Sequence, residues 1–309
     1  MNDRIPFRVR PMLATLADKP FDKPGWVCEE KYDGYRILAY KEGPAVTLLS
    51  RNAKDRSEVF SVVSRHVAAL PCRTLALDGE VVVFDDRGVS RFQLLQDLKA
   101  QPQYAVFDCL YRDGHDLRTK PLAVRRAALE ELLVRPRSGA TVFPSAILSP
   151  NGLEAFALAR RRGFEGVVAK DKSAPYIEGR SRKWLKFKVH QEDEFLIVGY
   201  TAPAGSREHF GALLLGAYDR GRLRYVGKVG TGFTRESLGA LFRAFQPLLA
   251  VAAPVVNPPK ERNVNWLAPR LVAQIAFEEL TAGHKLRQPV FLGLRDDKRP
   301  REVIMPEPK

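Results

Sequence analysis

Along the first part of the chain, apolar and polar residues alternate in short runs of the kind that half-buried strands require. Residues 25–31, 35–40, 45–50, 74–84 and 103–111 read as strands, with Gly34, Gly43, Gly88 and Gly114 as breakers. Between them the period changes. Val59, Val62, Val63, Val67 and Leu70 recur at helical spacing, which predicts a helix over 58–70, and residues 122–133 show the same spacing. Asn151 predicts the N-cap of a further helix that runs to about Arg162 and stops at Gly163. A strand over 166–170 follows, and a further run over 184–189 leads into the polar stretch His190 to Glu194.

Beyond that stretch the texture shifts to short strands over 195–201, 212–219 and 222–229, one helix over 234–249 and a Pro- and Asn-rich loop over 251–265. The whole predicts an α+β chain of two domains, 1–190 and 191–309, the second suiting a small barrel of the oligonucleotide-binding (OB) type. A length of 309 residues is compatible with two domains.

The longest apolar runs, such as 75–77 and 212–217, fall far short of the roughly 20 residues that a membrane span needs. Residues 1–12 carry three Arg and no apolar core, so no secretory signal is expected and the protein is expected inside the cell. Cys28, Cys72 and Cys109 are widely spaced in apolar segments, which fits reduced packing residues better than a disulfide frame or a zinc site. The five His, at 66, 115, 190, 209 and 284, form no ligand spacing. A net charge of +14 lowers the free energy of an encounter with a polyanion, so nucleic acid is the expected partner.

The segment from Glu29 through Lys31, Asp33 and Gly34 to Arg36 carries the candidate chemistry. It places a lysine at a strand end just before an Asp-Gly turn. Partly buried there, with cations nearby, its pKa would fall from about 10.4 towards neutrality and free an amine to attack phosphorus. Read by itself, the tetrad is common and more often marks a solvated lysine on a hairpin edge.

Lys31-Tyr32-Asp33-Gly34-Tyr35-Arg36 resembles the first signature of the covalent nucleotidyltransferases, which include ATP-dependent DNA ligases, RNA ligases and mRNA capping enzymes. The later signatures follow in family order. Ser50-Arg51-Asn52 resembles the second and Leu77-Asp78-Gly79-Glu80 the third. Tyr104 to Asp108 and Glu165 to Lys170 resemble the next two, and Trp184-Leu185-Lys186-Phe187-Lys188 closes the first domain. Near the C-terminus, Gly293 to Lys298 resembles the final one. The matches cover nearly the whole chain.

The resemblance implies a fold: an adenylation (nucleotidyltransferase, ATP-grasp-like) domain followed by an OB-fold β-barrel. It also implies roles. Lys31 would be the nucleophile, and Glu29 would accept from the adenine amino group. Phe107 would stack on the purine, and Arg36 and Glu80 would hold the ribose. Glu80 and Glu165 would hold Mg²⁺ (or Mn²⁺), while Arg51, Lys170, Lys186 and Lys188 would neutralise phosphate. Lys186 and Lys188 alternate along a strand and so share a face. Arg295 and Lys298 would orient the pyrophosphate leaving group as the barrel closes, with a hinge near 190–194. Single members keep plainer alternatives: core packing for Phe107, turn chemistry for Asp33, a solvated loop for Arg180, surface charge for Arg295 and Lys298. Where the family often has Gly after Ser-Arg-Asn, this chain has Ala53; if that backbone needs positive φ, Ala costs on the order of 1 kcal/mol.

The flanks, such as Pro11-Met12-Leu13-Ala14 and Gly179-Arg180-Ser181, look most like the ligase module of bacterial end-joining ligases. Only about 30 residues precede Lys31, fewer than the extra N-terminal domains of NAD-dependent or large eukaryotic ligases, so ATP is the expected donor. In the end-joining group the module is often fused to polymerase and phosphoesterase domains, so a stand-alone version is expected. The expected substrate is nicked or broken double-stranded DNA, in the bacterial cytoplasm, handled by a monomer that draws on an end-binding partner such as Ku. An RNA ligase, a GTP-using capping enzyme and a nucleic-acid-binding protein without catalysis are the competing readings.

Overall fold

In the computed structural model, which describes residues 5–96, 101–133, 140–189, 191–203, 208–261, 263–281 and 283–306, the alternating runs become sheets. The chain folds as two units, Met1–Val189 and His190–Lys309. The first holds β1 (Met12–Leu16), β2 (Trp26–Lys31), β3 (Tyr35–Glu42), β4 (Ala45–Ser50), α1 (Ser61–Ala68), β5 (Thr74–Val82) and β6 (Gln103–Arg112). After these come β7 (His115–Asp116), α2 (Leu122–Leu132), β8 (Val142–Pro144), β9 (Ile147–Ser149), α3 (Gly152–Arg162), β10 (Gly166–Asp171) and β11 (Gly179–Lys188).

Two sheets result. One has the order β1-β11-β10-β2-β9; the other runs β4-β3-β5-β6-β7, with β8 parallel on β6. Because strand side chains alternate between faces, each sheet has two faces to cover. The β4-to-β7 sheet lays Ile37, Ala39, Leu77 and Val106 on Val63 and Val67 of α1 and Leu129 of α2. The other sheet lays Cys28, Val167, Ala169 and Phe187 on Ala155 and Ala159 of α3. Their remaining faces meet in a third core that includes Met12 and Trp184 from one sheet and Leu38, Tyr40 and Phe107 from the other. Truncating a fully buried side chain such as Phe187 to Ala would cost about 3–5 kcal/mol.

Local chemistry explains the helix ends. Asn151 caps α3 through its side chain, accepting from the N–H groups of Leu153 and Glu154, and Gly163 ends it at φ 74. The predicted helix 58–70 shrinks to α1, because Phe60 stands at its N-cap and offers no side-chain acceptor; Val59, assigned to its apolar face, is 64% exposed. The strand predicted from 184 begins at Gly179, where β11 pairs in parallel with β1, a strand that local pattern did not predict. Ala53 has φ 58, so the left-handed backbone that favours glycine is carried here by alanine.

The second unit holds β12 (Glu192–Thr201), β13 (Leu213–Asp219), β14 (Arg222–Val229), α4 (Arg235–Phe245), β15 (Leu249–Ala250), β16 (Val264–Leu267), β17 (Val272–Ala276), β18 (Glu279–Leu280), β19 (Leu286–Arg287) and β20 (Val290–Leu294). The long β12 is shared by three partners: β13 on one edge, and β17 then β16 along the other. A strand that changes partner along its length lets a sheet coil, as in an OB fold. Among the described residues the sheet is not closed end to end, which agrees with the partly open barrel of the expected OB type. Thr234 caps α4, and the predicted helix to 249 gives way at Gln246 to a 3₁₀ turn, because Pro247 cannot donate to it. The predicted loop 251–265 yields its end to β16, and Arg262 within it lies outside the described residues, as does His190 of the predicted hinge. No helix among the described residues is long and apolar enough to cross a membrane.

Candidate active site

Strand register gathers the candidate residues of the first unit. On β10, Gly166 lies opposite Lys31 of β2 on one side and Lys188 of β11 on the other. Val168 likewise lies between Glu29 and Lys186, and Lys170 between Val27 and Trp184. Residues directly opposite share a face, so Glu29, Lys31, Lys170, Trp184, Lys186 and Lys188 all project from one side of the sheet. Gly166 leaves the row between Lys31 and Lys188 without a side chain. A Cβ there would stand 2.1 Å from the Phe187 carbonyl oxygen, so no other residue fits.

Lys31 ends β2 in an ion pair with Glu165, the residue that precedes β10, and its side chain is 19% exposed. Burial pulls its pKa down, but the charge and hydrogen bond of Glu165, with Asp33 and Glu80 beyond, outweigh it and hold the amine above the ordinary lysine value. This corrects the expected fall towards neutrality: acids, not cations, surround the amine. The Asp-Gly pair that follows is a close approach rather than a left-handed turn. A Cβ on Gly34 would lie 2.2 Å from the Val81 carbonyl oxygen of β5. Asp33 ties the loop at 90–92: its N–H donates to Ser90 Oγ at 3.0 Å, and its carboxylate accepts from the Phe92 N–H at 2.9 Å.

Glu29 is buried, and Lys170 Nζ donates to its Oε2 at 2.8 Å. The Lys170 ammonium also lies 4.4 Å from the ring centroids of both Phe107 and Trp184. Burial takes its pKa below the ordinary lysine value despite the Glu29 charge, and Arg126 pushes the same way. The Arg36 guanidinium sits 4.4 Å from the Phe107 ring centroid while its Nε and Nη2 donate to the two oxygens of buried Asp78 at 2.5 and 2.6 Å. Tyr176 donates to the same carboxylate at 2.6 Å. Arg36 is thus bound to Asp78, and a purine stacking on Phe107 would take the place of a cation. Arg126 and Ser145 also reach Glu29. Sequence reasoning missed both, since adjacent arginines on a helix carry no sign of which one turns inward.

Glu80 is half-buried on β5, directly opposite Arg36 of β3. Arg51 is half-buried in the turn after β4, where Ser50 accepts from the Ala53 N–H at 2.8 Å. Arg180 is exposed and donates to the Ala14 carbonyl at 2.9 Å, so it anchors β1 rather than standing in a loop. In the second unit Arg295 is not a surface charge: it is 8% exposed, donates to both oxygens of Asp297 at 2.9 Å and reaches Gln274 Oε1 at 2.7 Å. Lys298 pairs with Glu194 at 2.9 Å. Among the described residues no three or more acidic, His or Cys side chains cluster as a metal cage. Glu80 and Glu165, both bearing on Lys31, are hard oxygen donors that suit a cation such as Mg²⁺, which keeps waters and phosphate oxygens in its other positions.

Comparison with known proteins matches both units. A family profile described as "ATP dependent DNA ligase domain" matches residues 11–188, and one described as "ATP dependent DNA ligase C terminal region" matches residues 206–298. The chain is 39% identical over 315 residues to the multifunctional non-homologous end joining protein LigD of Pseudomonas aeruginosa, covering 98% of this chain and 37% of that protein. It is 33% identical over 324 residues to a DNA ligase of Methanoculleus marisnigri, covering 95% of this chain and 56% of that protein. A solved structure described as mycobacterial DNA ligase D complexed with ATP and MES matches with a TM-score of 0.72 at 32% identity, covering 96% of this chain and 98% of that one. With a nucleotidyltransferase unit ahead of an OB-type unit, and each matched in turn, the chain belongs to the ATP-dependent DNA ligase family.

Proposed function

We propose that this chain seals breaks between a 5′-phosphate and a 3′-hydroxyl in duplex DNA, using ATP and a covalent lysyl-AMP on Lys31. The observation that carries the reading is the row Lys31, Gly166, Lys188. It sets an amine and a second cation on one sheet face with an open position between them, about 10 Å across two strand spacings. A chain of phosphates fits that gap, with Lys186 one row away.

In the first step Lys31 Nζ would bond to the α-phosphorus as the bond to pyrophosphate breaks. AMP would then pass to the DNA 5′-phosphate, and a 3′-hydroxyl would displace it. The amine must lose its proton before attack, and Glu165 is the group that retains it. Lys186, Lys188 and Arg51 supply positive charge for phosphate oxygens, and Glu29 and Phe107 receive the adenine. Arg36 and Glu80 stand opposite each other where a ribose would bind. Mg²⁺ (or Mn²⁺) held by Glu80 and Glu165 would neutralise phosphate charge. Arg295, Lys298 and the 190–194 segment belong to pyrophosphate release and domain movement in this reading.

We infer further that such a ligase works in bacterial non-homologous end joining, a reading supported by the end-joining name of a relative, and that it acts as a monomer in the cytoplasm, where the chromosome lies, with an end-binding partner such as Ku. Labelled ATP, GTP and NAD offered in parallel, followed by mass analysis of the covalent adduct, test the donor and Lys31 together; an adenylyl group from ATP on Lys31 is the expected result. Sealing of nicks with DNA and RNA strands side by side tests the substrate. RNA joined faster than DNA would replace this reading with that of an RNA ligase.

A further inference from the structure

Arg126 reaches from α2 to a carboxylate 97 positions away in sequence. Its Nη1 donates to Glu29 Oε1 at 3.0 Å and to Ser145 Oγ at 2.8 Å, and its Nη2 donates to the Ser145 carbonyl at 2.5 Å. Its Nε is spent on Glu130 at 3.0 Å, so the fork is held along its length. On the other oxygen, Glu29 Oε2 accepts from the Ser145 hydroxyl at 2.6 Å and from Lys170 at 2.8 Å. The Arg126 side chain is 11% exposed, and those of Glu29 and Lys170 are 2% exposed.

A carboxylate offers about four acceptor positions, two on each oxygen. Among the described residues Oε2 uses both, whereas Oε1 uses one for Arg126. We propose that Arg126 is the positioning residue that sets purine selection: by pinning the Glu29 carboxylate, it leaves one acceptor position, on Oε1, which a 6-amino group fills and a 6-keto group does not. A 6-keto oxygen would set its lone pairs against those of the carboxylate, and rejection of that kind is strong in a dry site. Without Arg126 the carboxylate is held from one side only, and it is free to turn towards Lys170. The inference rests on the reading that Glu29 faces the adenine edge.

The test measures covalent adduct formation with ATP and with GTP, each as a saturating rate and a KM, for the wild type, Arg126→Met, Arg126→Lys and Glu29→Gln. The ratio of ATP to GTP efficiency cancels any loss of folded enzyme, so a merely structural role for Arg126 would leave it unmoved. The expected outcome is a ratio that falls by about tenfold or more in Arg126→Met, mainly through KM for ATP, and by less in Arg126→Lys, which keeps the charge but not the fork. Should Arg126→Met not fold, Arg126→Lys carries the test alone. A ratio in the Arg126 variants within about twofold of wild type, while Glu29→Gln loses selection, overturns the proposal and leaves the Glu29 reading standing. Unchanged selection in Glu29→Gln as well overturns that reading, and the proposal with it.

Discussion

Two lysine–glutamate pairs stand on one sheet face, and their amines are shifted in opposite directions. Lys31 and Glu165 meet at a strand end, with the lysine 19% exposed and further acids around it, and its pKa is raised. Lys170 and Glu29 meet inside, each 2% exposed, with Arg126 competing for the same carboxylate, and the Lys170 pKa is lowered. The partner residue type is the same in both. Burial decides the outcome: at Lys170 it outweighs the acids Glu29 and Asp108, with Arg126 adding to it, whereas at Lys31 the acids Glu165, Asp33 and Glu80 outweigh it.

The largest expected difference between the pairs is chemical. Lys31→Arg should lower adduct formation from ATP by about 10³-fold or more, since a guanidinium cannot replace the amine. Lys170→Met should lower it by about 10- to 100-fold, through KM. Single-turnover labelling checks both, and an adduct that survives Lys31→Arg would break the distinction. Next comes stability. Glu29→Ala strands the buried Lys170 and takes one partner from Arg126, and should cost about 3–5 kcal/mol in urea unfolding of the first unit, whereas Glu165→Ala leaves a lysine that water can reach and should cost about 1 kcal/mol.

Opposite shifts also predict opposite alkaline slopes. For Lys31, with its folded pKa raised, the stabilisation is complete below the unfolded value of about 10.4 and is lost as pH rises through the folded pKa. For Lys170, with its folded pKa lowered, the folded state binds fewer protons between that pKa and about 10.4, so stability rises with pH across that window. Stability measured against pH should therefore lose a rising limb in Lys170→Met and a falling limb in Lys31→Met. The smallest effect serves as a control away from both pairs. Ala53→Gly relieves a φ of 58 and should raise stability by up to about 1 kcal/mol without moving either limb.

Much of this was legible before any coordinates, and for local reasons. The Asn151 cap and Gly163 stop of α3 act within one turn of helix. The shared face of Lys186 and Lys188 follows from the period of a strand, and the positive φ at Ala53 was flagged by the glycine usual there. Other features rest on partners far along the chain. Local pattern gave no sign of β1, whose pairing with β11 spans more than 160 positions, nor that Arg36 would lock onto Asp78. Val59 had the right spacing for a core helix but lies before the helix begins.

By itself, then, the chain's order of residues determined which chemical groups are present, their strand parity and the family they spell out, because motifs and periodicities are short-range and survive without a fold. Tertiary structure decided how those groups are charged and held. Whether Lys31 rests protonated, whether Lys170 is depressed and which arginine of α2 meets Glu29 depend on desolvation and on charges brought within a few ångströms from distant segments, and these quantities exist only once the sheets have packed.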